Sequence, residues 1–197
     1  LVAEEGVKIL SLLRYAPAVP RILQELVVKD VPPPNYDEQK RTIWAAIEAQ
    51  RFQNSIDALG RIGAASAVAD LAKWLDKGEY LRRVRVPWAL GLIGGQDAYR
   101  ALLKAAQTVK VDGNTWFRLD CAQHLAYLAT PEQVGDLEKV LAVVEKMEEE
   151  LKGYRSTDPA GAQDFLNKLE GLRRNIAALQ ECGATRQCWE GKLKDKH

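Results

Sequence analysis

The sequence is poor in the residues that most often carry chemistry. Its 197 residues include two histidines, three cysteines and one methionine, and Lys plus Arg (28) exceed Asp plus Glu (27) by a single charge. Without a positive excess the sequence-independent attraction to phosphate backbones is weak, which disfavours a dedicated nucleic-acid binder. No apolar run approaches the ~20 residues that a membrane-spanning helix requires. A hydrophobic content of 47% and a charged content of 28% also exclude a disordered chain. No segment shows the two-residue alternation of a half-buried strand. Gly91, Gly94 and Gly95 are not a phosphate loop, because no strand precedes them and no Lys-Ser/Thr pair follows. The sequence starts at Leu1 without a Met, so the lack of a targeting segment says nothing about destination.

What the sequence does have is internal repetition. Ala58-Leu59-Gly60-Arg61-Ile62-Gly63 recurs 31 residues later as Ala89-Leu90-Gly91-Leu92-Ile93-Gly94, and more loosely as His124-Leu125-Ala126-Tyr127-Leu128-Ala129. Ala178-Leu179-Gln180-Glu181-Cys182-Gly183 is a fourth copy, and Leu12-Leu13-Arg14-Tyr15-Ala16 a faint one. Around these copies the apolar residues have helical spacing: Phe117, Cys121, Leu125 and Leu128; then Val134, Leu137, Leu141 and Val144; then Leu166, Leu169, Ile176 and Leu179. Gly63, Gly94 and Gly183 sit where a helix end calls for a left-handed residue. Ser66, Asp97 and Thr130 stand at or near the N-cap of the next helix, with Pro131 at a first helical position. The unit is therefore a helical hairpin, and the chain is expected to be all-α with about five of them.

The expected pairs are a leading helix to Ala16 with Val19 to Val28, Asp37 to Ile62 with Ser66 to Lys77, and Glu79 to Ile93 with Asp97 to Val109. Thr115 to Ala129 then pairs with Pro131 to Lys152, and Pro159 to Cys182 with Thr185 to Lys194. This gives a single repeat domain over 1–197: an N-terminal hairpin (1–28), a loop (29–36) holding Pro32-Pro33-Pro34, central repeats (37–153) and a C-terminal capping repeat (154–197). The proline run favours an extended conformation and reads as a solvated connection.

The segments 57–63 with 68–75, and 83–94 with 98–103, resemble HEAT repeats, and more narrowly the short HEAT-like repeats of the phycobilin lyase type. The similarity is good over about 57–105 and degenerate over 115–150 and 160–195. Pro87 within a first helix resembles the kinked A helices of that family. The resemblance implies a right-handed α-α superhelix, an armadillo-type solenoid with its A helices convex and B helices concave. It also implies a protein-binding scaffold more than an enzyme, although some relatives act as lyases, hydroxylases or DNA glycosylases. The hydroxylase branch needs paired His-Glu motifs, and neither His124 nor His197 is followed by Glu.

Among candidate reactive groups, Cys182 and Cys188 flank the last helix-helix turn and are expected to form a disulfide, which implies a periplasmic or extracellular setting; two reduced, buried thiols in the cytoplasm are the alternative. With no further Cys or His nearby, the pair is not a metal site. Cys121, His124 and Asp120 superficially suggest a nucleophile and base, but Cys121 lies on the apolar stripe, where a thiol is inert packing. No catalytic residue, metal or cofactor is assigned. Trp44, Trp88 and Trp116 fall on A helices, where packing between repeats is the usual role. Trp74 differs: on the helix of Val68, Leu71 and Leu75 it projects roughly 110° from the core direction, beside Lys73 and Lys77.

The next B helix carries Arg100 and Lys104, and Asp136 and Lys139 extend the face. An aromatic flanked by cations suits a protein or peptide partner with acidic groups. Charge is also polarised along the chain, six Lys/Arg against two acids over 79–110 and seven acids against three lysines over 131–153. The expected function is a non-enzymatic interaction scaffold, with a bilin-lyase-like enzyme or a glycosylase-like DNA binder as alternatives.

Overall fold

Several helix starts in this chain coincide with side-chain caps or prolines, and several helix ends with residues of positive φ. The computed structural model describes residues 2–26, 31–77, 83–108, 115–154 and 158–183 together with Cys188. Among these residues every regular element is helical. The α-helices are α1 (Val2–Leu12), α2 (Val19–Gln24), α3 (Glu38–Ile62), α4 (Val68–Ala72), α5 (Val86–Ile93), α6 (Gly95–Thr108), α7 (Thr115–Leu128), α8 (Val134–Tyr154) and α9 (Pro159–Cys182). Asp37 caps α3 by accepting the Lys40 N–H at 2.8 Å, and Asp158 caps α9 by accepting that of Gly161 at 2.9 Å. Thr130 and Gln133 form a reciprocal capping box ahead of α8.

Several expectations about caps need correction. Gly63 is left-handed as expected, at φ 74° and ψ 36°, but Gly94 (φ 73°, ψ −167°) and Gly183 (φ 56°, ψ −136°) occupy a different positive-φ region, also one that glycine alone enters readily. Asp97 is no cap, because α6 already begins at Gly95; the carboxylate lies in the first turn, where it complements the helix dipole. Pro87 lies in the first turn of α5, where its missing N–H has no partner to lose, and a turn at 84–85 separates α5 from the helical residue Arg83 before it. Ser66 sits inside a 3-10 turn, Ala65–Ala67, that leads into α4.

Packing divides the chain into two compact units, Leu1–Ala98 and Tyr99–His197. The centre of the first is α3, which packs along both α1 and α5. Its buried residues Phe52, Ile56 and Leu59 join Ile22, Leu71, Val86 and Leu90 in one apolar core. At Gly60 the two helices approach so closely that a Cβ would lie 2.8 Å from the Ala89 Cα. The second unit is organised by α9, which packs against α7 and α8 while they also touch each other. Its core holds Phe117, Leu119, Leu125, Leu137, Val140, Phe165, Leu169 and Leu172. Phe165 fills the place expected of Leu166, which is only half-buried.

The faint first repeat is real at the level of backbone geometry. Tyr15 N–H donates to the Leu10 carbonyl as Ala64 N–H does to that of Leu59, and Ala18 to Tyr15 as Ala67 to Ala64. The N-caps Tyr15 (φ −76°, ψ 88°) and Ala64 (φ −75°, ψ 85°) coincide, and each precedes a 3-10 turn of three residues and a short helix. The second helices end alike: Glu25 and Leu26 donate to Ile22 and Leu23, as Trp74 and Leu75 donate to Leu71 and Ala72. In this register Arg14 (φ 49°) takes the place of Gly63.

Cys182 and Cys188 stand at disulfide distance, with Cα atoms 5.5 Å apart. The rest of the expected helix Thr185 to Lys194 lies outside the described residues, as do Trp189 and the side chain of Trp116.

Two substitutions test this geometry. Gly60→Ala improves helix propensity yet destabilises the protein by about 1 to 3 kcal/mol, because α3 and α5 must move apart; urea unfolding measures the sign. Arg14→Gly relieves the left-handed backbone and raises stability in the same assay, by about 1 kcal/mol.

Candidate functional site

The residues singled out beside Trp74 come together with a partner surface that sequence spacing did not identify. A groove of about 310 Å³ is lined by Leu23, Gln24 and Leu26, from α2 and the turn after it, and by Asp70, Lys73 and Trp74. Trp74 is not on a continuous helix. α4 stops at Ala72, and the chain continues through i→i+3 hydrogen bonds from Trp74 N–H to Leu71 (3.0 Å) and from Leu75 N–H to Ala72 (3.2 Å). At three residues per turn, positions i and i+3 eclipse. Trp74 therefore lies over Leu71, whose side chain is fully buried, rather than well away from the core direction. Its ring meets Phe52 of α3 edge to face, with centroids 4.7 Å apart and planes at 76°. The indole is thereby fixed and half-buried, with its remaining surface in the groove.

Charge beside the indole is partly spoken for. Lys73 donates to Asp70 at 2.5 Å, one turn back on the same segment. Both are solvent-exposed, so the pair adds little to stability and a competing carboxylate can open it. Lys77 is exposed, in the bend beyond Leu75. The other tryptophans behave differently from one another. Trp88 is covered by Arg61, whose guanidinium carbon lies 5.5 Å from the ring centroid. Trp44, expected to pack between repeats, is half-exposed next to Ile43 and Ile47, which are 52% and 54% exposed near the start of α3. Nearby, burial raises the Asp57 carboxyl above its ordinary value, with Arg85 and Arg61 pulling the other way.

The remaining predicted contacts belong to the second unit and form their own arrangement. Arg100 and Lys104 are exposed one turn apart on α6. Asp136 is engaged within the unit: it accepts from the Tyr99 hydroxyl at 3.3 Å and lies 3.7 Å from the Lys139 ammonium. Burial and the adjacent Asp136 push the Tyr99 hydroxyl well above its ordinary pKa. Lys73 and Trp74 thus share one groove, and Asp136 is paired within the second unit.

The Asp120, Cys121 and His124 triplet lies on α7. Cys121 is fully buried, and Asp120 accepts from Lys168 of α9 at 2.9 Å, with Asp164 3.1 Å from the same ammonium. His124 is held neutral, its pKa lowered to about 4 by burial and by the nearby Lys168. Among the described residues no group of three or more His, Cys, Asp or Glu side chains is placed to hold a metal ion, and no helix is long and apolar enough to cross a membrane.

Compared with models of protein families, with curated proteins and with solved structures, the chain matches none. The groove beside Trp74 therefore has to be read from its own geometry.

The histidine makes a pH-dependent contribution whose sign is fixed. Above about pH 6.5 the ring is neutral in both folded and unfolded chains; between there and about pH 4 only the unfolded chain takes up the proton, so stability falls with pH. Asp120, whose carboxyl is raised by burial against the pull of Lys168, acts in the opposite sense at the acid end. Melting temperatures from pH 7 to pH 4.5 are expected to fall more steeply for the wild type than for His124→Gln.

Proposed function

We propose that this chain is a non-enzymatic interaction scaffold that binds an extended peptide or protein segment across its short second helices, with the groove beside Trp74 as the anchoring site. The observation carrying this reading is the fixed indole: an aromatic braced edge-on by Phe52 opens onto a groove walled by Leu23 and Leu26. A pre-positioned aromatic loses little side-chain entropy on binding, which is what makes such residues effective anchors. An apolar side chain of the partner would enter between Trp74 and the two leucines, while its carboxylates displace Asp70 from Lys73 and pair with Lys77. A partner long enough to reach the second unit would use Arg100, Lys104 and Lys139 there as a separate contact.

The HEAT-like resemblance belongs to the same proposal. The matching hydrogen-bond patterns of the first two hairpins support a repeat array, and a right-handed superhelix of such hairpins would align their second helices on one face. An oxidising compartment, the periplasm or cell exterior, fits the Cys182–Cys188 pair.

Panning a random peptide library on the protein is expected to enrich peptides with an apolar residue flanked by acids. Their affinity should fall at least tenfold for Trp74→Ala and severalfold for Lys77→Glu, an exposed change that leaves the Phe52 contact in place. Peptides that bind both variants as well as the wild type would place the binding surface elsewhere.

A further inference from the structure

On its other side α2 faces a second cavity, and nothing in the proposed peptide site uses it. The space, about 270 Å³, lies among α1, α2 and α3, with Gly6, Arg21, Glu25, Arg51, Asn54 and Ser55 among its lining residues. Its floor is aliphatic, from Val7, Leu10, Ala18 and Ile22. A Cβ built at Gly6 would meet nothing within 4 Å, so the helix leaves open a volume that any other residue would begin to fill.

The polar side of the cavity is electrically closed. Arg51 donates to the Glu25 carboxylate at 2.8 Å, to the Glu25 carbonyl, and to Glu48 at 2.8 and 3.1 Å. Its guanidinium is committed to two carboxylates, and Arg21, 3.6 Å from Glu25, balances the second of them. Among the described residues these four charges cancel, so they offer neither an unmet cation to an anionic ligand nor an unmet anion to a cationic one. What remains for a ligand is hydrogen bonding of neutral groups. Ser55 Oγ donates to the Arg51 carbonyl and keeps its lone pairs, and Asn54 accepts from Gln50 through its side-chain oxygen, which leaves its amide N–H groups.

We infer that this cavity is a binding site for a small neutral aliphatic molecule bearing a single hydroxyl or comparable polar group, its chain against Val7, Leu10, Ala18 and Ile22 and its polar end toward Asn54 and Ser55. An apolar cavity of ~150 Å³ holds benzene, so this volume accommodates roughly ten non-hydrogen atoms. An apolar body with one oriented polar end is the common composition of small-molecule sites.

The test uses 1-hexanol, hexanoate and hexylammonium, three probes of one chain length that differ in head-group charge, followed by titration calorimetry and amide chemical shifts of the whole protein. Saturable hexanol binding is expected, with shifts confined to α1, α2 and the second half of α3, and with both ions at least tenfold weaker. Gly6→Leu fills the space and improves helix propensity, so it should melt no lower than the wild type while hexanol binding is lost. Asn54→Ala should weaken hexanol binding severalfold. The inference is overturned if hexanol shows no saturable binding, if either ion binds as well as the alcohol, or if Gly6→Leu melts normally and still binds. Because Trp74 lies outside this cavity, hexanol binding should be unaffected by Lys77→Glu, which separates failure here from failure of the peptide site.

Discussion

Where α3 crosses α5, Gly60 lies against the backbone of Ala89 with no room for a methyl group between them. Helices normally pack about 8 to 10 Å apart, and the short end of that range requires a residue without a side chain at the crossing. Much of the first unit follows from this contact. With α5 drawn in on one side and α1 packed on the other, α3 is covered along its second half, and Phe52, Ile56 and Leu59 are buried to within 2% of full exclusion from solvent. Phe52 in turn supplies the edge against which Trp74 rests, so the geometry of the groove is inherited from the packing of α3.

The second unit has no comparable close approach among its described residues and is tied differently. Its core is a stripe on α9, Phe165, Leu169, Leu172, Ile176 and Leu179, set against α7 and α8. Around that stripe run polar links between helices: Lys168 to Asp120, Arg173 to Glu145 at 2.9 Å, and Gln180 to Glu138 at 2.8 Å. Burial of the apolar stripe supplies most of the stabilisation, since each large side chain removed from water contributes ~1.5 to 3 kcal/mol. Ion pairs at the edge contribute less and act chiefly to fix which faces meet.

Between its two cavities α2 is a divided element. Leu23 and Gln24 line the groove with Trp74, whereas Arg21 and Ile22 line the closed-charge cavity with Arg51. The helix has only six residues, too few for a stable helix alone, and it owes its position to the 3-10 turn before it and to buried Val19 and Ile22. Its counterpart α4 is built the same way, down to the i→i+3 bonds that end it. In both pairs the short second helix packs chiefly on the first helix of the next pair, α2 on α3 and α4 on α5.

The amino-acid sequence by itself determined the helical class, most helix boundaries and the placing of Cys182 within disulfide distance of Cys188. Those features are local: Asp37, Asp158 and Thr130 with Pro131 cap whatever follows them, a stripe such as Phe117, Cys121 and Leu125 has one helical face, and six residues across a turn bring two cysteines within reach. The helix bearing Trp74 is shorter than its spacing predicts, because both α and i→i+3 geometries satisfy the same local spacing. Trp44 was placed in the packing for a related reason: its periodicity says which way it faces, but α3 extends beyond the helices that cover its second half. The leucines opposite Trp74, the charge closure around Arg51 and the space beside Gly6 were decided by tertiary structure alone. Each joins segments tens of residues apart, and which side chains meet across such distances depends on how close two helices can come, which in the first unit is set by a missing methyl at Gly60.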